Sequence, residues 1–299
     1  MNVFLRSLRV PFVSVTLSGI FLGTATAFFI TRQLHIFALL AVVFVAVTGH
    51  ISANLFNDYF DHRSGNDVRN KNVTPLSGGS RAIQDYGLSE TNALLYACIF
   101  LSLCAFAGCW FVYAEQNIYF ACFGLMGLAL GYAYTAPPFK LVYRGLGELT
   151  IIITFGLFVV GGAYFAQTGN FTLPAIAASL PAGLLTAVIL LVNSFPDRIA
   201  DEASRKRTFI VRAGKNRSIR LAKGFVILSY MIIAGSAVCH VLPYGALFSL
   251  FSLPIAMQFF KKIERIDEDF LPVGMNAIAL QIAFTIFTAL GIITNMLFV

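Results

Sequence analysis

Nine apolar stretches dominate this sequence, near residues 11–31, 35–56, 92–113, 117–134, 147–167, 174–195, 221–242, 243–260 and 275–298. A helix needs about 20 mostly apolar residues to cross roughly 30 Å of hydrocarbon. Each stretch meets or approaches that length, and only Leu242-Pro243 separates the seventh from the eighth. The ten-residue alternating segments of an outer-membrane barrel are absent. The expected fold is therefore all-α: a polytopic bundle of nine transmembrane helices, with residues 1–299 as one domain. Composition agrees, since 58% of residues are hydrophobic and 12% charged, whereas a soluble domain carries about 25% charged residues. The same figures exclude a disordered chain, a coiled coil, a collagen-like fibre and a disulfide-stapled secreted domain.

Charge tests the count. With nine spans, the N-terminus and the even-numbered loops share one side, and 20 of the 21 Lys and Arg residues fall there, with Arg32 opposite. Positive residues favour the cytoplasm, so the N-terminus and these loops are expected inside and the C-terminus outside. The net charge of +7 then reflects topology and anionic lipid headgroups, and no nucleic-acid partner is implied. Span 1 looks like a signal peptide, with Arg6 and Arg9 ahead of it and Ala25-Thr26-Ala27 at its end, but it is expected to be retained. The five cysteines lie within apolar spans in no metal-ligand spacing and read as core-packing thiols.

The carboxylates are as unevenly placed. Of the 14 acidic residues, only Glu115 falls on the outer side. Two clusters stand out at the cytoplasmic ends of spans 2 and 6. In the first, Asn54, Asp58 and Asp61 share one helical face, as do Asn57 and Asp61; in the second, Asn193, Asp197 and Asp201 are spaced by four. Like charges one turn apart, where an apolar span meets the interface, are costly unless a cation compensates them. Carboxylate and amide oxygens suit Mg²⁺, which takes one or two carboxylates and completes its shell with water and phosphate oxygens. Two facing clusters suit two or three such ions with a diphosphate guest. Gly65 is expected to end the first helix and let Asp67 approach the same site.

Basic residues supply the complement. Arg81 follows Gly78-Gly79-Ser80 in a flexible turn, and Lys140 follows Tyr134-Thr-Ala-Pro-Pro-Phe with Tyr143 and Arg144 behind it. Both cations suit phosphate oxygens. Lys206, Arg207 and the basic residues after them read as ordinary loop charges, Arg207-Thr208 being the least ordinary part.

With both Asp-rich motifs in spans 2 and 6 of nine, the sequence resembles the UbiA superfamily of intramembrane prenyltransferases over nearly its whole length. That family's first motif is Asn-Asp-x-x-Asp-x-x-x-Asp, matched at Asn57, Asp58 and Asp61; its second, Asp-x-x-x-Asp, is matched at Asp197 and Asp201. The chain departs at Gly65, with Asp67 two residues on. That departure is similar to the branch that prenylates 1,4-dihydroxy-2-naphthoate in menaquinone synthesis, as are Gly78-Gly79-Ser80-Arg81, Tyr143-Arg144-Gly145-Leu146-Gly147-Glu148 and Lys206-Arg207-Thr208.

The resemblance implies Mg²⁺-dependent transfer of a polyprenyl group from polyprenyl diphosphate to an aromatic acceptor in the lipid bilayer. It implies Asn57, Asp58, Asp61, Asn193, Asp197 and Asp201 as metal-holding residues, with Arg81 and Lys140 on the diphosphate. Asp58, Asp61, Asp197, Asp201, Arg81 and Lys140 then form the catalytic set. Asn54, Asp67, Tyr132, Tyr134, Tyr143 and Arg144 are expected beside them, Tyr59, Tyr132 and Tyr134 being candidates to face a developing allylic cation. Some of the 30 Phe residues are expected to line a tail groove. Other acceptors stay open (4-hydroxybenzoate, another quinone precursor, a glycerol-phosphate lipid). So do two other classes: a cation-coupled transporter, whose carboxylates belong nearer mid-membrane, and a non-catalytic prenyl-lipid binder.

Overall fold

The computed structural model describes residues 7–297, so Arg6 lies outside the described residues. Among these, nine helices follow the apolar stretches: α1 (Val10–Thr31), α2 (Ile36–Arg63), α3 (Glu90–Glu115), α4 (Ile118–Ala133), α5 (Gly147–Thr168), α6 (Leu173–Ala203), α7 (Lys215–Val238), α8 (Tyr244–Arg265) and α9 (Phe270–Thr294). Eight are long and apolar enough to cross a membrane, which identifies a multi-pass membrane protein. The exception is α4, whose 16 residues rise only about 24 Å at 1.5 Å per residue. Asn117 caps its start, accepting from the Tyr119 N–H at 3.0 Å, and the Pro137-Pro138 pair lies just beyond its end, where proline cannot continue a helix. The expected nine full spans are thus eight and one short apolar helix.

Helix α6 is the hub. It packs on α5, α7, α9 and α1 and is buried along most of its length. A Cβ on Gly183 of α6 would lie 2.5 Å from the Ile152 carbonyl oxygen, and one on Gly156 of α5 2.7 Å from that of Ser179. Lipid offers no hydrophobic drive between helices, so close backbone approach at such glycines supplies the packing. The facing part of α5, Ile152–Val160, is π-wound, a local unwinding common near functional sites.

The first helix is equally central. α1 packs on α9, α5, α6 and α2, with Leu22 and Ala27 fully buried. The stretch with the signal-peptide look is thus a core helix of the bundle. The cysteines correct another expectation: Cys104 alone is buried, whereas Cys98, Cys109, Cys122 and Cys239 are exposed. Exposure on an apolar helix suits lipid contact for Cys98 and Cys122, which a thiol tolerates as readily as a core, whereas Cys109 lines a cavity and Cys239 lies just past α7.

Two helices overrun their apolar stretches. α2 continues to Arg63 and α6 to Ala203, so both Asn/Asp stripes are carried on rigid helix beyond the apolar cores. The first then stops as expected: Gly65 adopts φ +75°, and a short helix, Asn66–Arg69, folds back.

Candidate active site

The two stripes meet. Asp58, Asp61, Asp67 and Asp201 are each at most 4% exposed, and Asp197 is half-buried. Burying five carboxylates together requires compensation, and the surrounding chain supplies it from four directions.

The fold-back segment joins one cluster to the other. Asn66 donates to Asp201 at 2.9 Å, and Asn70, one turn later, donates to Asp197 at 2.7 Å. The glycine turn does the same with backbone: Gly78 N–H donates to Asp197 at 3.2 Å and Ser80 N–H to Asp58 at 3.2 Å. Between them, Gly79 has φ +76°, and a Cβ there would lie 2.5 Å from Asp67 Oδ2 and 3.3 Å from Asp58 Oδ1. Asp67 thus reaches the site, as the sequence suggested. Burial first, then Asp61 and Asp58, push its carboxyl well above the ordinary value.

Two cations sit among the carboxylates, and neither is Arg81 or Lys140. Lys206 Nζ lies 2.9 Å from Asp61 Oδ2 and 3.7 Å from Asp201 Oδ1. Burial alone would lower its ammonium, but Asp61 and Asp201 override that and hold it well above the ordinary lysine value. The reading of Lys206 as an ordinary loop charge is therefore corrected. Arg207 and Arg205 beside it are exposed, and the adjoining Thr208 donates to Asp201 at 3.1 Å. The second cation is Arg9, which pairs with Asp58 and donates to Asn57 Oδ1 at 3.3 Å. No sequence signal joined Arg9 to a motif 49 residues away.

Arg81 instead forks onto Asp85 with two bonds of 2.9 Å and donates to the Asp67 carbonyl. Lys140 lies 5.2 Å from the Tyr143 ring centroid, on which Lys206 also sits at 5.6 Å. The Tyr143 hydroxyl donates to Asp61 at 2.7 Å; burial and Asp61 both keep that phenol protonated, raising it above its usual range. Arg144 is exposed and donates to the Pro138 carbonyl at 2.9 Å.

Below the carboxylates runs a cavity of about 880 Å³, lined near its polar end by Arg9, Asn54, Asn57, Asp61, Asp67, Asn193, Asp197, Asp201 and Lys206. Tyr132 and Tyr134 line it, whereas Arg81, Lys140, Tyr59, Tyr143 and Arg144 do not. Tyr59 instead accepts from Arg63 at 3.0 Å. Tyr132 is fixed edge-on to Phe56, ring centroids 5.5 Å apart. The far part of the cavity is aromatic, through Phe111, Phe120, Phe123, Phe158 and Phe165, consecutive rings of which meet at 4.6–5.5 Å.

The donor set suits a divalent cation. Asp58 Oδ2 and Asn193 Oδ1 are buried oxygens with no hydrogen-bond donor, and beside the two cations the converging side chains offer carboxylate and amide oxygens, which fit a hard cation. Among the described residues, no three His, Cys, Asp or Glu side chains form a metal cage by themselves. Mg²⁺ takes few protein ligands and completes its shell with water and substrate phosphate.

Residues 12–271 match the model of the UbiA prenyltransferase family. The chain is similar to the 2-carboxy-1,4-naphthoquinone phytyltransferase of Synechocystis sp., at 32% identity over 267 residues, 88% of this chain and 82% of that protein. It is also similar to the 1,4-dihydroxy-2-naphthoate octaprenyltransferase of Bacillus subtilis, at 27% identity over 216 residues, 72% of this chain and 67% of that one. Among solved structures, a UbiA homolog from Aeropyrum pernix K1 has a TM-score of 0.70 at 15% identity, covering 95% of this chain and 98% of its own. A UbiA homolog from Archaeoglobus fulgidus, bound to GPP and Mg²⁺, has a TM-score of 0.66 at 17% identity, covering 98% and 100%. At such identities these two speak to the fold.

Proposed function

The chain belongs to the UbiA prenyltransferase family and is an enzyme of prenyl transfer, and from that premise we propose that it moves a polyprenyl group from its diphosphate to 1,4-dihydroxy-2-naphthoate, with Mg²⁺, for menaquinone synthesis. One observation carries the reading. Two carboxylate clusters, bridged by Lys206, stand at the mouth of a long aromatic cavity, so a charged head and an apolar tail would each find their complement. The naphthoate choice draws support from the Gly65-x-Asp67 pattern and from the acceptors in the names of the two relatives.

In this reading Asn57, Asp58, Asp61, Asn193, Asp197 and Asp201 would hold Mg²⁺, directly or through water. Mg²⁺ would supply charge neutralisation that makes diphosphate a competent leaving group. Lys206 and Arg9, already at the carboxylates, would meet the phosphate oxygens, with Arg81 and Lys140 as further cations outside the cavity. The C1–O bond breaks, and the electron pair leaves with the diphosphate. Tyr132 and Tyr134 present π-faces to the allylic cation at C1. The electron-rich ring attacks C1 at the carbon bearing its carboxylate. That carboxylate leaves as CO₂, returning its bonding pair to the ring. The whole chain, residues 1–299, acts as one such domain, with the charged end cytoplasmic, the C-terminus outside and α4 completing a nine-helix bundle.

The test is an acceptor panel given to membranes with labelled polyprenyl diphosphate. Prenylation of 1,4-dihydroxy-2-naphthoate with CO₂ release is expected, and 4-hydroxybenzoate should be used at least about a hundredfold less well, the scale set by a few kcal/mol of lost ring contact. Equal use of 4-hydroxybenzoate, or activity only on a glycerol-phosphate lipid, would refute the acceptor.

A further inference from the structure

His50 lines the cavity yet belongs to neither motif. It lies four residues before Asn54 and seven before Asn57 on α2, so it shares their face about 10 Å deeper along the axis. Its Nδ1 is 2.6 Å from the Thr16 hydroxyl of α1, and Phe155 meets its ring edge-on at 5.2 Å. Thr16 is fully buried, and His50 is its one side-chain hydrogen-bond partner among the described residues. A buried hydroxyl needs an acceptor for its proton, so Thr16 donates to Nδ1 and the proton of the neutral ring sits on Nε2. No hydrogen bond among the described residues reaches Nε2. One turn nearer the carboxylates, Asn54 Nδ2 is a second buried donor with no partner. A core histidine that merely packs has both nitrogens satisfied; this one keeps a donor spare in the cavity wall.

We propose that His50, oriented by Thr16 and aided by Asn54, donates a hydrogen bond to an oxygen substituent of the aromatic acceptor and so sets which ring carbon faces the prenyl C1. The inference rests on the aromatic-acceptor reading above. The spacing suits it, since about 10 Å of helix separates His50 from the metal-holding Asn57. That leaves room for the diphosphate, the allylic carbon and a ring in sequence. Helix α1 becomes part of the acceptor site through Thr16, and Phe155, on the π-wound part of α5, fixes the third side of the imidazole.

The purified full chain, with Mg²⁺, 1,4-dihydroxy-2-naphthoate and a polyprenyl diphosphate, provides the test through two KM values. His50→Ala should raise the acceptor KM at least about tenfold, the loss of one good hydrogen bond, while the KM for prenyl diphosphate stays within about twofold. His50→Gln carries an amide N–H at the reach of Nε2 and should recover most of the loss; Thr16→Val, which frees the ring to turn, should fall between. An active wild type with an unmoved acceptor KM in both His50→Ala and Thr16→Val overturns this inference alone, as does an equal rise in both KM values. A wild type that consumes prenyl diphosphate but prenylates no aromatic acceptor overturns the reading beneath it.

Discussion

Lys206 bridges Asp61 and Asp201 in a place where burial alone would weaken its hold on the proton. Removing one partner of a buried ion pair leaves the other uncompensated, at about 3–5 kcal/mol. Lys206→Met should therefore lower the melting temperature of the metal-free protein by several degrees and cut prenyl transfer at least about a hundredfold; detergent thermal melts and turnover check both. Asp67 behaves oppositely. Its carboxyl is raised by burial and by Asp61 and Asp58, so the folded state holds that proton more tightly than the unfolded chain. The stability it contributes is full below the ordinary carboxylate value near 4 and erodes as pH rises toward the folded value. In EDTA, melting temperature should fall with rising pH over that window, and Asp67→Asn should flatten the fall; an unchanged slope would contradict it. The residues legible in the sequence were mainly those repeating at helical spacing, with Asp67 added through the helix stop at Gly65. Arg9, Asn66, Asn70 and Lys206 carried no such repeat, because what brings them in is a fold-back and a loop path, not a period.

At the scale of elements, the stripes work because α2 and α6 outlast their apolar stretches and carry Asp61 and Asp201 on continuous helix. Hydropathy marks where lipid contact ends, not where a helix ends, which is why these two spans were placed well and their polar ends short. The joint between α5 and α6 is a demanding contact beside the cavity. A methyl on Gly183 would press into the Ile152 carbonyl, which is backbone and cannot rotate away. Gly183→Ala should destabilise by about 1–3 kcal/mol, with loss of activity following from displaced Phe155 and Phe158 on the π-wound segment. A variant as stable and active as the parent would show that the joint yields freely.

For the whole molecule, the charge count that fixed the expected sidedness depends on α4 crossing, although it is the one helix short of a full span. Asn170 and Asn216 are both exposed, and they lie in the loops after α5 and at the start of α7. Single cysteines there, in a cysteine-free background, should label from opposite sides of intact cells, with residue 216 cytoplasmic. Labelling of both from one side would mean that α6 does not cross, and reversed labelling, with residue 170 cytoplasmic, would remove α4 or another earlier helix from the membrane. The architecture and the two clusters were legible because a membrane makes every polar residue expensive; a Phe-lined groove was expected, but not which residues wall it, because they look like any lipid-facing apolar residue.

The central claim is that the two clusters act as one diphosphate site. Its most direct measurement is the turnover of purified Asp61→Ala and Asp197→Ala with saturating Mg²⁺ and polyprenyl diphosphate, each variant first shown to fold by its melting profile. Each should lose at least about a hundredfold, close to 3 kcal/mol of transition-state stabilisation, and the wild type should lose all transfer in EDTA and regain it with Mg²⁺. Near-normal turnover by either folded variant, or wild-type transfer that continues in EDTA, would contradict the account.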